Sequence, residues 1–360
     1  MSQTAEVFGL ARLGWAADLE QEFEQYETAG LVPGRVSVQH RGAYDVLAAD
    51  GEVRAGLPGK LLHDAGDVAD LPAVGDWVAL DPPQGGQSTV RAVLPRRTAF
   101  VRTAASDQHR ISEQQVVAAN VDTVFLVSAL AEDYNLRRLE RYLVLAWESG
   151  ALPVVVLTKA DLCEDVDGAV AGVESVAVGV SVHAVSNVTG EGVDELRPYF
   201  AGNRTVAALG SSGVGKSTLI NSLSGHEVMA TGGLRRDGRG RHTTTRRELI
   251  AVPGGGFFLD TPGMRELQLA EATGGMEEAF DDIVELFARC RFSDCAHDQE
   301  PGCAVKEALR AGRLDLERWT SYQKLQRELK MLERKLDARA KSEERKKWRQ
   351  WERSRRRDAW

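Results

Sequence analysis

Residues 154 to 162 read VVVLTKADL, an apolar run ending in Thr-Lys-Ala-Asp, and residues 210 to 218 read GSSGVGKST. The first stretch has the pattern of a parallel strand buried on both faces, closing on a loop. The second fits GxxxxGK[ST] in full and lies between a strand pattern, RTVAALG, and a helix pattern, KSTLINSLSG. That setting separates a phosphate-binding loop from a chance match. Gly210, Gly213 and Gly215, with Ser211, Ser212 and Val214 between them, let consecutive N–H groups turn toward a β-phosphate, and the helix N-terminus adds its positive end. Lys216 is placed to reach the β- and γ-phosphates, the Ser217 hydroxyl to bind Mg²⁺, and Thr218 to continue the loop into the helix.

The phosphate loop does not say which nucleotide it holds. Asp161, after its strand, can accept hydrogen bonds from N1–H and the 2-amino group of guanine. Adenine offers neither donor there and would leave a buried carboxylate unpaired. Lys159 can cover the base plane with its aliphatic stem, Ala160 lies in the same loop, and Thr158 can tie this loop to the phosphate loop. Taken alone, TKAD reads equally well as an ordinary strand-end turn. AVSNVTGEG (184–192) follows the next strand and can complete a base pocket through Ser186 and the backbone at Asn187.

Downstream come GRGRHTTT (238–245) and FFLDTPGMREL (257–267). Asp260 and Gly263 fit DxxG at a strand end, where Asp260 would hold Mg²⁺ through water and the Gly263 N–H would sense the γ-phosphate. One of Thr243, Thr244 and Thr245 would join the Mg²⁺ shell, with Thr244 preferred. Many GTPases carry a water-orienting Gln directly after DxxG; here that position is Met264, so slow intrinsic turnover is expected. These segments occur in a rotated order, with the base loops ahead of the phosphate loop. Chain termini commonly lie close together, so rejoining them elsewhere leaves the sheet intact. A circularly permuted α/β P-loop GTPase domain is the reading.

Around this centre the texture changes. RVSVQH, AYDVLAA, EVRAGL, DWVALD and TVRAVL read as five short strands between Gly34 and about Arg102, a small antiparallel barrel. An OB-fold is the first candidate and an SH3-like barrel would look similar. VDTVFLVSAL reads as a covered strand and NLRRLERYLVLAWESG as a helix capped by Asn135 and stopped at Gly150. MEEAFDDIVELFARC reads as helix, and a later helix carries Leu325, Leu329, Leu332 and Leu336, which are expected to pack on the body. The expected organisation is multidomain: a helical extension (1–33), an OB-fold β-barrel (34–109), the permuted GTPase domain (110–272), a C-terminal α-helical zinc-binding domain (273–320) and a basic helical tail (321–360).

CRFSDCAHDQEPGC brings Cys290, Cys295, His297 and Cys303 within fourteen residues. Three soft thiolates and an imidazole suit one tetrahedral Zn²⁺, and four protein ligands leave no open position, so the site is structural rather than catalytic. Cys163 has no partner nearby in sequence and is expected to be a buried, inert thiol. The chain carries a net charge of −8, yet residues 321–360 hold 15 Lys/Arg against 7 Asp/Glu, which leaves −16 on residues 1–320. An acidic body with a basic tail points to nucleic acid at the tail, although a solvated helix has the same composition. With 43% hydrophobic and 27% charged residues, no membrane-spanning run and no signal-peptide pattern at the N-terminus, a cytoplasmic protein is expected.

The rotated motif order, the barrel ahead of it, HTTT and the Cys/His spacing together resemble the circularly permuted ribosome small-subunit-dependent GTPase A family (RsgA, or YjeQ). The resemblance runs over nearly the whole chain. It implies a GTP/GDP-binding enzyme with Mg²⁺ that binds the small (30S) ribosomal subunit and its 16S rRNA late in maturation and is stimulated by it. It also implies His242 as the residue that acts on the attacking water; a monomer is expected. Thr158, where many GTPases have Asn, departs from the usual pattern. Two further readings stand beside this one: an RNA-binding module with a structural nucleotide, and a metabolic P-loop NTPase or kinase.

Overall fold

In the computed structural model, residues 9–65, 67–103, 114–131, 133–229, 247–260, 273–298, 300–332 and 334 are described. His242, Thr243, Thr244, Thr245, Gly263, Met264 and Leu336 lie outside them.

Five strands form the barrel: β1 (Val32–Gln39), β2 (Ala43–Ala48), β3 (Gly51–Gly56), β4 (Trp77–Leu80) and β5 (Gln87–Val93). They run in the order β1-β2-β3-β5-β4, and β4 closes back on β1 with Val32 opposite Leu80 and Arg35 opposite Trp77. The β3–β5 pair is parallel and the other pairs antiparallel. This closed Greek-key order is that of an OB-fold and decides between the two barrels the sequence left open. Closure needs Gly34, because a Cβ there would lie 2.6 Å from Val46 Cγ1 and 2.8 Å from Leu80 Cδ1. Helix α1 (Ala17–Glu27) buries Leu19 and Phe23, and Trp15 just ahead of it packs edge-on against Trp77 at 4.8 Å. A ribbon the sequence reading missed, β6 (Ala99–Thr103) with β7 (Gln114–Ala119), follows the barrel.

The central sheet is built from β8 (Thr123–Ala129), β9 (Leu152–Thr158), β10 (Ser181–Ala184), β11 (Thr205–Leu209), β12 (Glu248–Ala251) and β13 (Phe257–Asp260), in the order β10-β9-β8-β11-β13-β12. Every residue of β8 is buried, and β9 is buried from Pro153 onward, as a strand covered on both faces requires. Pairings from β10 to β13 are parallel; β12 is antiparallel to β13. The reason is the short turn at Pro253–Gly256, in which three glycines take positive φ and Val252 N–H donates to Gly256 C=O. So short a connection joins only antiparallel strands. Strand β11 follows β10 in the chain but lies beyond β8, between it and β13. That placement is the rejoined chain.

Further α-helices among the described residues are α2 (Gly59–Asp64), α3 (Leu136–Ser149), α4 (Val166–Glu174), α5 (Lys216–Ser224), α6 (Thr273–Ala279), α7 (Asp281–Phe287), α8 (Ala304–Arg310) and α9 over 316–332. Helix α3 begins and ends as its caps dictate: Asn135 Oδ1 accepts from Arg138 N–H, and Gly150 takes φ 81°. The stretch read as one helix from Met276 is two, α6 and α7, parted at the fully buried Phe280. Leu325 and Leu329 are buried and Leu332 partly so, packed on the body. Cys163 is only partly buried, because the loop after Asp161 stays near the surface.

Two buried arginines join these layers. Arg35 of β1 donates to the carbonyls of Leu13, Asn120 and Gly75 and to Thr205 Oγ1, and lies over the rings of Trp77 and Phe257. Burial pushes its pKa down to about 10. Barrel and sheet also meet through β1 and β12, where Val38 pairs with Glu248. Arg318 of α9 donates to Asp282, Glu140, Val176 C=O and Ala279 C=O, fastening the C-terminal helices to α3.

Candidate nucleotide site and metal centre

The phosphate loop leaves β11 at Leu209 and enters α5 at Lys216. Gly213 and Gly215 hold φ of 85° and 95°, values that place successive N–H groups on one side of the loop. A Cβ on Gly210 would sit 2.4 Å from Val127 C=O, so the loop can lie against β8 only with glycine there. Lys216 Nζ curls back over the loop and donates to the carbonyls of Gly210 at 2.8 Å and Ser211 at 2.5 Å. Ser212, Ser217 and Thr218 lie on the same turn and first helical residues.

The base loop meets this loop directly. Thr158, fully buried at the end of β9, donates its hydroxyl to Val214 C=O at 2.5 Å. Lys159 follows in the left-handed region (φ 59°), and Ala160 N–H donates to Val185 C=O, which turns Asp161 back toward the second base loop. There the fully buried Ser186 hydroxyl donates to Asp161 Oδ1 at 2.6 Å while accepting from the N–H groups of Val188 and Thr189. Ser186 therefore fixes one carboxylate oxygen and leaves the other edge of Asp161 for a ligand. Asn187 stands against the phosphate loop: a Cβ on Gly215 would lie 3.4 Å from its Nδ2. The two segments that stand far apart in the sequence thus form one continuous surface.

Asp260 ends β13, paired in register with Glu248, one strand away from the phosphate loop. The remaining expected ligands, His242, Thr243 to Thr245 and Gly263, are outside the described residues. Sequence reading missed Arg138. Its Nη1 donates to Ser211 Oγ at 2.7 Å and also pairs with Asp133, bringing a cation from α3 to the phosphate loop. Nothing at a helical arginine marks it in the sequence; only the adjacency of β8 and β11 in the sheet brings the two together.

The C-terminal cluster assembles as its spacing suggests. One ligand atom each from Cys290, Cys295, His297 and Cys303 lies within 4.8 Å of the others. His297 Nδ1 is 3.6 Å from both Cys290 Sγ and Cys303 Sγ. Metal–ligand lengths of about 2.3 Å to sulfur and 2.0–2.1 Å to nitrogen give a tetrahedral edge of about 3.6 Å, so the donors fit one ion. Cys303 caps α8, and the His297 ring stacks on Phe287 at 4.3 Å. Glu300 accepts from Ala296 and Asp298 N–H, holding the loop between the ligands.

A sequence profile of the family described as RsgA GTPase matches residues 93–270. The proteins described as small ribosomal subunit biogenesis GTPase RsgA from Opitutus terrae and Streptomyces avermitilis are 47% and 48% identical to this chain, covering 94% of it and 95% and 90% of themselves. The crystal structure of YjeQ from Thermotoga maritima superposes with a TM-score of 0.62 at 28% identity, over 82% of this chain and 97% of its own. That of YloQ, a circularly permuted GTPase, gives 0.61 at 24% identity over 83% of this chain and 95% of its own, a likeness of fold. With a permuted sheet, a joined nucleotide surface and identity near one half over almost all its length, the chain belongs to the RsgA GTPase family.

Proposed function

We propose that this GTPase binds the small (30S) ribosomal subunit, assists its late maturation, and hydrolyses GTP to GDP and phosphate faster when bound to it. Support comes from the relatives' names, which place them in small-subunit biogenesis. The observation that supports the reading is the Thr158–Val214 hydrogen bond, which joins the base loop to the phosphate loop. Asp161 reads the guanine edge, with Lys159 across the base and Ser186 and the Asn187 backbone beside it. The amides of residues 210–218 and the Lys216 ammonium hold the phosphates. Ser217, Asp260 and one of Thr243–Thr245, with Thr244 preferred, would hold Mg²⁺, which when bound neutralises charge across the phosphates. Gly263 senses the γ-phosphate and His242 orients the attacking water, a task Met264 cannot perform.

The cluster of Cys290, Cys295, His297 and Cys303 holds one structural Zn²⁺. The division at residues 33, 109, 272 and 320 assigns the barrel and the basic tail to 16S rRNA contact, as OB-folds bind oligonucleotides. The protein works as a monomer in the cytoplasm; among the described residues no helix is long and apolar enough to cross a membrane. Phosphate release is measured with and without purified small subunits across a range of salt, for wild type and His242→Ala. Stimulation that His242→Ala loses while retaining GTP affinity is expected. Equal release with and without subunits would refute the proposal.

A further inference from the structure

Glu248 is where the barrel meets the sheet. It opens β12, with Val38 of β1 as its partner on one side and Asp260 of β13 on the other. Barrel strand, β12 and the proposed Mg²⁺ ligand thus stand in one row across three neighbouring strands. At about 4.8 Å per strand, Val38 and Asp260 are about 10 Å apart. Among the described residues this backbone seam is one residue pair long, a pivot rather than a ladder.

Arg247, the residue before, supplies a second point of attachment. Its Nη1 donates to Gln39 Oε1 at 3.0 Å and its Nη2 to Gln115 Oε1 at 3.3 Å. Gln39 ends β1 of the barrel and Gln115 lies in β7 of the ribbon, so one planar fork spans two elements outside the GTPase sheet. Gln115 Oε1 also accepts from Nε and Nη2 of Arg102 on β6, at 3.1 and 3.0 Å. Two guanidiniums therefore share one neutral oxygen, and burial, with Arg102 nearby, pushes the pKa of Arg247 down. A half-buried cation beside a like charge is an unfavourable way merely to fasten a domain. Arg35 already makes the static joint, through Gly75, Asn120 and Thr205 at the start of β11, the strand end away from the phosphate loop. Arg247 acts at the other end, beside Asp260, and Thr243 to Thr245 come just before it in the chain.

We propose that Arg247 is a positioning residue for hydrolysis: it ties barrel and ribbon to the start of β12, so that a partner seated on the barrel sets the placement of Asp260 through Glu248. A partner can bias Asp260 only if barrel and β12 move together, and the Gln39–Arg247–Gln115 clamp makes them do so. This role rests on the subunit-stimulated GTPase proposed above and adds the route by which stimulation arrives.

Phosphate release from full-length wild type, Arg247→Ala and the double variant Gln39→Ala/Gln115→Ala is measured against rising small-subunit concentration, with co-sedimentation giving subunit binding. Arg247→Ala is expected to reach a saturating rate about tenfold below wild type, the low end for one hydrogen bond to a charged group. Its KM for GTP, GDP affinity and subunit binding are expected to stay within about twofold, which a merely structural role would not spare. The double glutamine variant should lose as much, and adding Arg247→Ala to it should lose no more, since all three act through one contact. Gln115→Glu, which gives both arginines a carboxylate, should keep the stimulated rate. A saturating rate in Arg247→Ala equal to wild type overturns the role and leaves the stimulated GTPase standing. So do losses that add in the triple variant, or a fall in subunit binding that accounts for the lower rate. Failure of subunits to speed wild type overturns the GTPase reading and this role with it. Should Arg247→Ala not fold, the glutamine variants, which leave the arginine in place, decide.

Discussion

Replacing Thr158 with valine removes one hydroxyl and keeps the shape of the side chain. The hydroxyl donates to Val214 C=O at 2.5 Å, and Thr158 and Val214 are 0% and 2% exposed. Water cannot take its place, so the carbonyl is left unpaired, a loss of about 1–3 kcal/mol in folding stability. The same bond sets the register between base loop and phosphate loop. If about 1 kcal/mol of the loss persists as misalignment in the bound state, GDP affinity falls about fivefold. Urea denaturation with and without GDP gives the first quantity, and titration with a fluorescent GDP gives the second. Thr158→Ser keeps the donor and should stay near wild type in both. An unchanged denaturation midpoint with unchanged GDP affinity in Thr158→Val would refute the claim that this bond joins the loops. Equal losses in the serine and valine variants would refute it too, by pointing to packing.

Arg318→Ala strips the carbonyls of Val176 and Ala279 of their donor and removes one of two arginines from the buried Glu140, which keeps Arg137 and Ser321. A loss of about 3–5 kcal/mol is expected in thermal or urea unfolding, the range for breaking a buried ion pair from one side. A change within 1 kcal/mol would contradict it. Purified protein should contain about one zinc by elemental analysis, and Cys303→Ala, which removes a buried ligand, should contain almost none. Because Trp319 meets the His297 ring edge-on at 5.9 Å, stripping the metal with a chelator should change tryptophan emission in wild type but far less in Trp319→Phe.

What the sequence made legible was whatever local chemistry determines. The barrel strands announce themselves by alternation and turns, α3 by Asn135 and Gly150, and the phosphate loop by glycines whose positive φ no other residue adopts easily. The permutation could be read because motif order is itself a property of the sequence. Contacts that depend on which strands become neighbours could not be read. Arg35 reaches residues 13, 75, 120 and 205, and Arg138 reaches Ser211, through the three-dimensional order of the sheet alone. The β6–β7 ribbon escaped notice because its strands, AFVRT and QQVVAA, flank a stretch with no tight-turn signature. The break between α6 and α7 is set by tertiary burial of Phe280, which overrides a sequence that reads as helix throughout.

The central claim is that Asp161 and Lys216 serve one bound guanine nucleotide in spite of their inverted order. Its most direct test is the base preference of Asp161→Asn, measured by competition of GDP and xanthosine diphosphate for the full-length protein. An asparagine can still accept from Ser186 but can no longer accept as a carboxylate from N1–H and the 2-amino group. GDP affinity should therefore fall by about a hundredfold or more, the range for losing charge-assisted hydrogen bonds, while xanthosine diphosphate binding rises. Unaltered GDP affinity in Asp161→Asn, with no gain for xanthosine diphosphate, would contradict the account.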